Sequence, residues 1–204
     1  MMPVLNEEKH LQQAVASVFA QEIPSGFSAE VILALGPSSD QTDSVAAALS
    51  KSHKNLKTVA NPSGLTSAGL NLAIGLATGD VIVRVDAHSK LTAGYVKTAV
   101  EILESNPRIG NVGGVMLAEG EDDFTSAVAW AYRSTYGLGG GKFHTGGEAG
   151  PVDTVYLGVF RKSVLLEAGL FDQAVVRGQD WELNQRIRAL GHLVWFDPRL
   201  EAVY

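Results

Sequence analysis

The chain contains no cysteine. That absence excludes a disulfide framework, a thiol nucleophile and any cysteine-ligated metal centre. It suits a reducing compartment. No apolar run approaches the ~20 residues that a membrane-spanning helix needs, and the N-terminus has no signal-peptide pattern. The segment therefore reads as a soluble domain. Charge is also scarce: 19% of the residues are charged, with 16 Lys and Arg against 22 Asp and Glu, for a formal net charge of -6. Sequence-independent nucleic-acid binding wants a basic face, so no nucleic-acid partner is expected. An anionic ligand is still admissible, because backbone amides and a metal can hold phosphate on an acidic protein.

Several motifs are missing. There is no Gly-x-Ser-x-Gly elbow, no His-Glu-x-x-His and no kinase set, which removes support for those chemistries. The segment Gly137–Gly150 carries seven glycines but is not a phosphate loop. A P-loop would need glycine where Tyr136 stands and Ser or Thr where Phe143 follows Lys142. A dinucleotide fingerprint from Gly137 and Gly139 would need a third glycine in place of Lys142. The segment can be a flexible lid over a substrate or a plain surface loop. Lys142 and His144 could meet a phosphate if it closes. His10, His53 and His192 have no partner that the sequence identifies.

What is present is a globular composition, 46% apolar over 204 residues, enough for one domain with a sizeable core. Met1-Met2-Pro3-Val4-Leu5 reads as the end of a strand that starts earlier, and Val203-Tyr204 closes without a tail. A domain cut from a longer chain, or a start codon placed late, is the expectation.

The chain alternates between extended and helical patterns. Met2–Leu5 is extended, and Asn6 can cap a helix with Glu7 and Glu8 in its first turn. Leu11, Val15, Val18 and Phe19 follow at helical spacing. Ala29–Leu35 is a continuous apolar strand of the buried parallel type. After Gly36-Pro37-Ser38-Ser39, Asp40 or Thr42 can cap a helix through Leu49. Leu56–Ala60 is a strand. Ser67–Ala77 is a helix, with Gly79 at a left-handed C-terminal position. Val81–Val85 runs as a strand into Asp86. Thr92–Glu104 is a helix and Ile109–Leu117 a strand. Farther on, helices are expected over Asp122–Tyr136, Ser163–Ala168 and Gly178–Leu190, the last ended by Gly191. Strands are expected over Asp153–Arg161 and His192–Phe196, the latter stopped by Asp197-Pro198. This alternation predicts an α/β fold, a Rossmann-like, mainly parallel sheet flanked by helices. Ligands in such sheets bind beyond the carboxyl ends of the strands. That directs attention to Asn6 and Glu7, Gly36 to Asp40, Asn61 and Pro62, and Asp86 to His88.

Two places could carry chemistry. Asp86 and His88 flank a small residue after an apolar strand, so both can face one divalent ion. The alternative is a turn-capping aspartate with a surface histidine nearby. Asp180 opens a helix whose apolar face is Leu183, Ile187 and Leu190, while Glu182 and Arg186 are spaced to pair. In the first turn a carboxylate stays ionised, which suits a general base. The alternative is a simple helix cap.

Taken in order, these segments resemble family-2 glycosyltransferases with the GT-A fold, over nearly the whole chain. Pro3-Val4-Leu5-Asn6-Glu7-Glu8 resembles the family's opening strand and nucleoside loop. Ser38-Ser39-Asp40-Gln41-Thr42 resembles its Ser-Thr-Asp-Gly-Thr turn. Asn61-Pro62 and Gly69-Leu70-Asn71-Leu72-Ala73-Ile74 resemble the lead into the metal strand. Gly79-Asp80 through Asp86-Ala87-His88 is similar to the Gly-Asp…Asp-x-Asp stretch. Gly178-Gln179-Asp180-Trp181-Glu182-Leu183 resembles the Glu-Asp-x-Glu-Leu helix. There are three departures. Leu35-Gly36-Pro37 replaces Asp-Asp-Gly, His88 replaces the last aspartate of Asp-x-Asp, and Gln179 replaces a glutamate. The Asp-Ala-His form looks like the subgroup near succinoglycan-type exopolysaccharide glucosyltransferases. The processive synthases' Gln-x-x-Arg-Trp segment is absent.

The resemblance implies a single GT-A catalytic domain over residues 1–204, with a nucleotide-binding half at about 1–118 and an acceptor-side half at about 119–204. It implies inverting transfer of one sugar from a UDP-sugar to a saccharide or lipid-linked acceptor. Pro3, Asn6, Glu7, Gly36, Asp40, Asn71 and Asp86 would contact the nucleotide sugar. Asp86 and His88 would hold Mn2+ or Mg2+, histidine favouring Mn2+, and Asp180 would be the base. The expected location is the cytoplasm, at the inner face of the cytoplasmic membrane, with any anchor outside this chain. The rival is a sugar-nucleotide-binding or assembly module that kept the fold and lost turnover. A nucleotidyltransferase is weaker, because no glycine-rich phosphate loop lies near the N-terminus.

Overall fold

The computed structural model describes residues 1–120, 122–133 and 141–204. Its elements are β1 (Met2–Val4), α1 (Leu11–Phe19), β2 (Val31–Leu35), α2 (Thr42–Ser52), β3 (Leu56–Ala60), α3 (Thr66–Leu76), β4 (Val81–Val83), β5 (Lys90–Leu91), α4 (Tyr95–Ser105), β6 (Ile109–Leu117), α5 (Asp123–Arg133), α6 (Lys142–Thr145), β7 (Gly150–Pro151), β8 (Tyr156–Arg161), α7 (Lys162–Glu167), α8 (Gln179–Ala189) and β9 (Leu193–Val203).

The alternating first part builds a parallel sheet in the order β1-β2-β3. Val31 to Ala34 are buried, as an apolar run between two neighbours requires. The second sheet runs β4-β8-β6-β9-β5, with β7 beside β9. Here β6 and β9 are parallel, while β4–β8, β6–β8, β5–β9 and β7–β9 are antiparallel. Parallel character is thus concentrated in the N-terminal sheet. Met1 joins the two sheets: its amine donates to Val83 O at 2.7 Å, and Val85 N donates to Met1 O at 3.0 Å. The start of β1 therefore runs beside the end of β4, and the segments that follow both strands line the same side of the molecule.

Apolar side chains cover both faces. One cluster holds Leu11, Val15, Tyr95, Leu103, Val112 and Leu200, with α1 and α4 supplying the helical share. A second holds Leu70, Ile74, Phe160, Phe171, Leu183 and Ile187, under α3, α7 and α8. Among the described residues, no helix is long and apolar enough to cross a membrane.

Some boundaries differ from expectation. Helix α1 begins at Leu11, beyond Asn6, Glu7 and Glu8, with His10 at its cap position. Asn6 is left-handed at φ 56° and turns the chain instead of capping it. Helix α3 ends in extended backbone at Ala77, so Gly79 is not a helix terminator, whereas Gly191 ends α8 at φ +89°. Strand β9 runs through Asp197-Pro198; proline needs only a position where no N–H is called on. The helix expected over Asp122–Tyr136 is present as α5. Residues 134–136 and the first glycines of the 137–150 segment lie outside the described residues, and the remainder includes α6 and β7. Two histidines have partners after all: His192 Nε2 lies 3.1 Å from Glu167, and His53 stacks on Phe19 with ring centroids 4.0 Å apart.

Candidate functional site

The ends of β1, β3 and β4 open onto one cleft of about 360 Å³, lined by residues that include Pro3, Glu7, Asn61, Arg84, Asp86, His88, Gln179 and Tyr204. This is the position that a parallel sheet provides.

The loops after β1 and β2 are laced together along its rim. Asn6 N donates to Ser38 Oγ at 3.0 Å, and Ser39 N donates back to Asn6 Oδ1 at 2.8 Å. Glu7 N donates to Thr42 Oγ1 at 2.7 Å, and Glu8 N to Asp40 Oδ2 at 3.1 Å. Asp40 also accepts from Thr42 N at 3.0 Å, which makes it the acceptor ahead of α2. The Thr42 hydroxyl bond, with the backbone donors, holds its carboxyl below the usual range. Gly36 is a close-approach glycine: a Cβ there would lie 3.2 Å from Val4 O and 3.4 Å from Gly64 Cα. Asn6, Gly36 and Asp40 thus form the frame beside the cleft, while Pro3 and Glu7 line it. Asn71 is elsewhere. Its amide donates to Phe171 O at 2.8 Å and accepts from Phe171 N at 3.0 Å, fastening α3 to the turn before α8.

Asp86 and His88 stand in a turn closed by Ser89 N donating to Asp86 O at 2.9 Å. They are not on extended backbone, yet both line the same cleft. His88 Nδ1 lies 2.7 Å from Glu7 Oε1. The Glu7 hydrogen bond, helped by the charges of Glu7 and Asp86 and opposed by burial, raises the His88 pKa above its ordinary value. The Tyr204 ring meets His88 edge-on at 5.0 Å. Tyr156 shares a 2.9 Å bond with Ser89.

Helix α8 is set by Leu183 and Ile187, both fully buried, and by a polar tie. Asn111 Nδ2 donates to Asn184 Oδ1 at 2.8 Å, and Asn184 Nδ2 donates to Thr154 Oγ1 at 2.9 Å. Glu182 and Arg186 pair in bidentate fashion, with two contacts of 2.6 Å, as their spacing predicts. Asp180 lies one turn before Asn184, on the same face. It is not a cap: Gly178 holds that position without a side-chain bond. Its carboxylate accepts from Arg84 Nη1. The Asp180 pKa is raised, because burial outweighs the pull of the Arg84 cation. That differs from the ionising influence expected from a helix start alone.

Arg84 is the residue that sequence patterns did not single out. Its side chain is 5% exposed. It donates through Nε at 3.2 Å and Nη2 at 3.0 Å to Asp86 Oδ1, as well as to Asp180. The signal was present: an arginine in the apolar run Val81-Ile82-Val83-Arg84-Val85 must be paired if it is buried.

Among the described residues, no three His, Asp or Glu side chains are arranged to hold a metal by themselves. Asp86 and His88 give one carboxylate and one imidazole on one cleft. The Glu7 contact takes Nδ1 and leaves Nε2 as the nitrogen that could meet a metal. The chemistry of the pair fits a divalent ion only with further ligands from outside the chain.

Residues 1–168 match the model for "Glycosyl transferase family 2". The chain is 27% identical over 206 residues to the succinoglycan biosynthesis protein ExoA of Rhizobium meliloti (strain 1021), covering 100% of this chain and 62% of that protein. It therefore spans somewhat less than two thirds of that relative's length. The fold resembles the mannosyltransferase PcManGT of Pyrobaculum calidifontis, solved with GDP-Man and Mn2+ (TM-score 0.75, 21% identity, 100% of this chain and 55% of that one). It also resembles S. aureus TarS 1-349 solved with UDP (TM-score 0.75, 17% identity, 100% and 59%). These likenesses establish the GT-A architecture.

Proposed function

This chain belongs to glycosyl transferase family 2, and from that premise we propose that it moves a single sugar from a UDP-sugar to a saccharide or lipid-linked acceptor in polysaccharide biosynthesis, inverting the anomeric configuration. The observation that carries the proposal is convergence. Asp86 and His88 line one cleft, and Asp180 is tied to its wall through Arg84. The relative in succinoglycan biosynthesis supports the pathway class. The solved relatives with UDP, and with GDP-Man and Mn2+, support a nucleotide sugar and a divalent ion.

Residues 1–204 act as one catalytic unit, 1–118 on the nucleotide side and 119–204 on the acceptor side. Glu7 and Pro3 border the nucleotide. Asn6, Gly36 and Asp40 hold the loops that receive it, and Asn71 sets α3 behind them. Asp86 and His88 would hold a divalent ion, which would supply charge neutralisation for the departing diphosphate. Asp180 accepts the proton of the acceptor hydroxyl, whose oxygen bonds to the anomeric carbon from the face opposite the leaving group. The family resemblance supports inversion, and Asp180 as a single base is consistent with it. The site works at the inner face of the cytoplasmic membrane, where a lipid-linked acceptor is presented.

The test is release of nucleoside diphosphate from a panel of UDP- and GDP-sugars, each with and without Mn2+. The expected result is Mn2+-dependent release from a UDP-sugar. Binding of the same nucleotides with no release from any donor, acceptor present or absent, would leave a sugar-nucleotide-binding module instead.

A further inference from the structure

Arg84 is assigned no role above, yet it contacts both Asp86 and Asp180. Its side chain is 5% exposed, against 17% for Asp86 and 30% for Asp180. Two of its nitrogens converge on Asp86 Oδ1, and a third reaches Asp180. Asp86 lies in the turn after β4, whereas Asp180 is in the first turn of α8, far along the chain. Arg84 thus bridges the two carboxylates. A guanidinium suits this place, since its planar fork can serve two acceptors and its charge survives burial. Burial works against that charge, but the two carboxylates outweigh it and lift the Arg84 pKa above the ordinary arginine value.

Building on the glycosyltransferase reading, we propose that Arg84 is a positioning residue and an internal counter-cation of the site: it fixes Asp180 relative to the β4 turn and competes with a divalent ion for Asp86. Two consequences follow from the geometry. First, removing the fork frees Asp180 from the β4 turn and misplaces the base without removing it. Second, the Asp86 oxygen that Arg84 holds is not freely offered to a metal. The site then takes a metal weakly by itself and better together with a diphosphate, which brings its own oxygen ligands. Arg84 acts through Asp86 and Asp180; it is not assigned contact with reacting atoms.

The experiment is Mn2+ binding followed by electron paramagnetic resonance, without nucleotide, on the wild-type chain and on Arg84→Gln and Arg84→Lys. UDP affinity and donor hydrolysis are measured on the same preparations. Arg84→Gln should bind Mn2+ alone about tenfold more tightly than wild type, because a competing charge at contact distance is gone. Its turnover should fall about 100-fold, with UDP affinity measured in Mn2+ not weakened, as a misplaced base predicts. Arg84→Lys keeps the charge but not the fork, so its Mn2+ affinity should stay near wild type while its turnover lies between the other two. A merely structural arginine would not tighten Mn2+ binding. Folded Arg84→Gln with unchanged or weaker Mn2+ affinity overturns the proposal. If Arg84→Gln does not fold, full wild-type turnover in Arg84→Lys overturns it. The metal arm needs no donor, so a wild-type chain without turnover would defeat the enzymatic reading while the Mn2+ comparison still decides the role of Arg84.

Discussion

His88 Nδ1 and Glu7 Oε1 lie 2.7 Å apart, so the turn after β4 is fastened to the loop after β1. The contact selects which imidazole nitrogen faces the cleft. It also sets two of the cleft walls against each other, since Glu7 N is itself bonded to Thr42 Oγ1 at 2.7 Å. Glu7→Ala should leave the fold intact and weaken binding of UDP with Mn2+ by about 10- to 100-fold, the usual scale for losing a carboxylate behind a metal-bound histidine. Calorimetric titration of the variant checks this. UDP affinity equal to wild type in Mn2+ would show that the contact is only architectural.

Asp180→Asn keeps the size and the bond from Arg84 but cannot accept a proton. Nucleotide binding should stay near wild type, while transfer falls by about 100-fold or more. Burial raises the Asp180 pKa, and a base works only when ionised. The rate should therefore decline on acidification at a pH above the ordinary aspartate range. A pH–rate profile flat down to that ordinary range would contradict the assignment.

Glu30 gives a pH effect on stability instead. It accepts from Lys57 Nζ at 2.7 Å and from Thr78 N and Oγ1 at 2.6 Å. The Lys57 and Thr78 hydrogen bonds lower its pKa to about 2 from 4.5. A carboxylate with a depressed folded pKa contributes stability above its unfolded pKa and loses it as the pH falls towards the folded value. The difference in melting temperature between wild type and Glu30→Gln should be largest at neutral pH. It should shrink from about pH 4.5 towards pH 2. A difference that does not change with pH would contradict it.

Asn184 is a structural support for the helix that carries Asp180. Replacing it by leucine removes the acceptor of Asn111 and the donor to Thr154 in a buried setting. A loss of about 1–3 kcal/mol in unfolding free energy is expected from the stranded polar groups. Turnover should fall more than UDP affinity, because Asp180 rides on the same helix face. Denaturant titration and donor hydrolysis check both halves.

Much of the frame was legible in the sequence because local rules decide it. The apolar run of β2, the strand Leu56–Ala60 and the Glu182–Arg186 pair follow from burial and spacing. The loops were less legible. Asn6, with a residue type suited to a helix cap, instead bonds across to Ser39, because the β1 and β2 loops satisfy each other before α1 begins. Asp86 and His88 were placed on one face by extended geometry; a turn brings them to the same cleft. The mixed second sheet is not legible because β8 and β9 find their partners at long range, which alternation in sequence does not encode. The role of Arg84 is not legible in sequence because a charge in an apolar strand acquires meaning only when its partners, Asp86 and the distant Asp180, are known.

The most direct test of the central claim is a thermal-shift titration of UDP with and without Mn2+, on wild type, Asp86→Ala and His88→Ala. Ligand binding to the folded state adds about 2.7 kcal/mol of stability at 100 times Kd, which a melting curve resolves. The site described here predicts clear stabilisation by UDP with Mn2+, less by UDP alone, and loss of the Mn2+-dependent part in both variants. Equal stabilisation with and without Mn2+, or variants that match wild type, would contradict a metal–diphosphate site at Asp86 and His88.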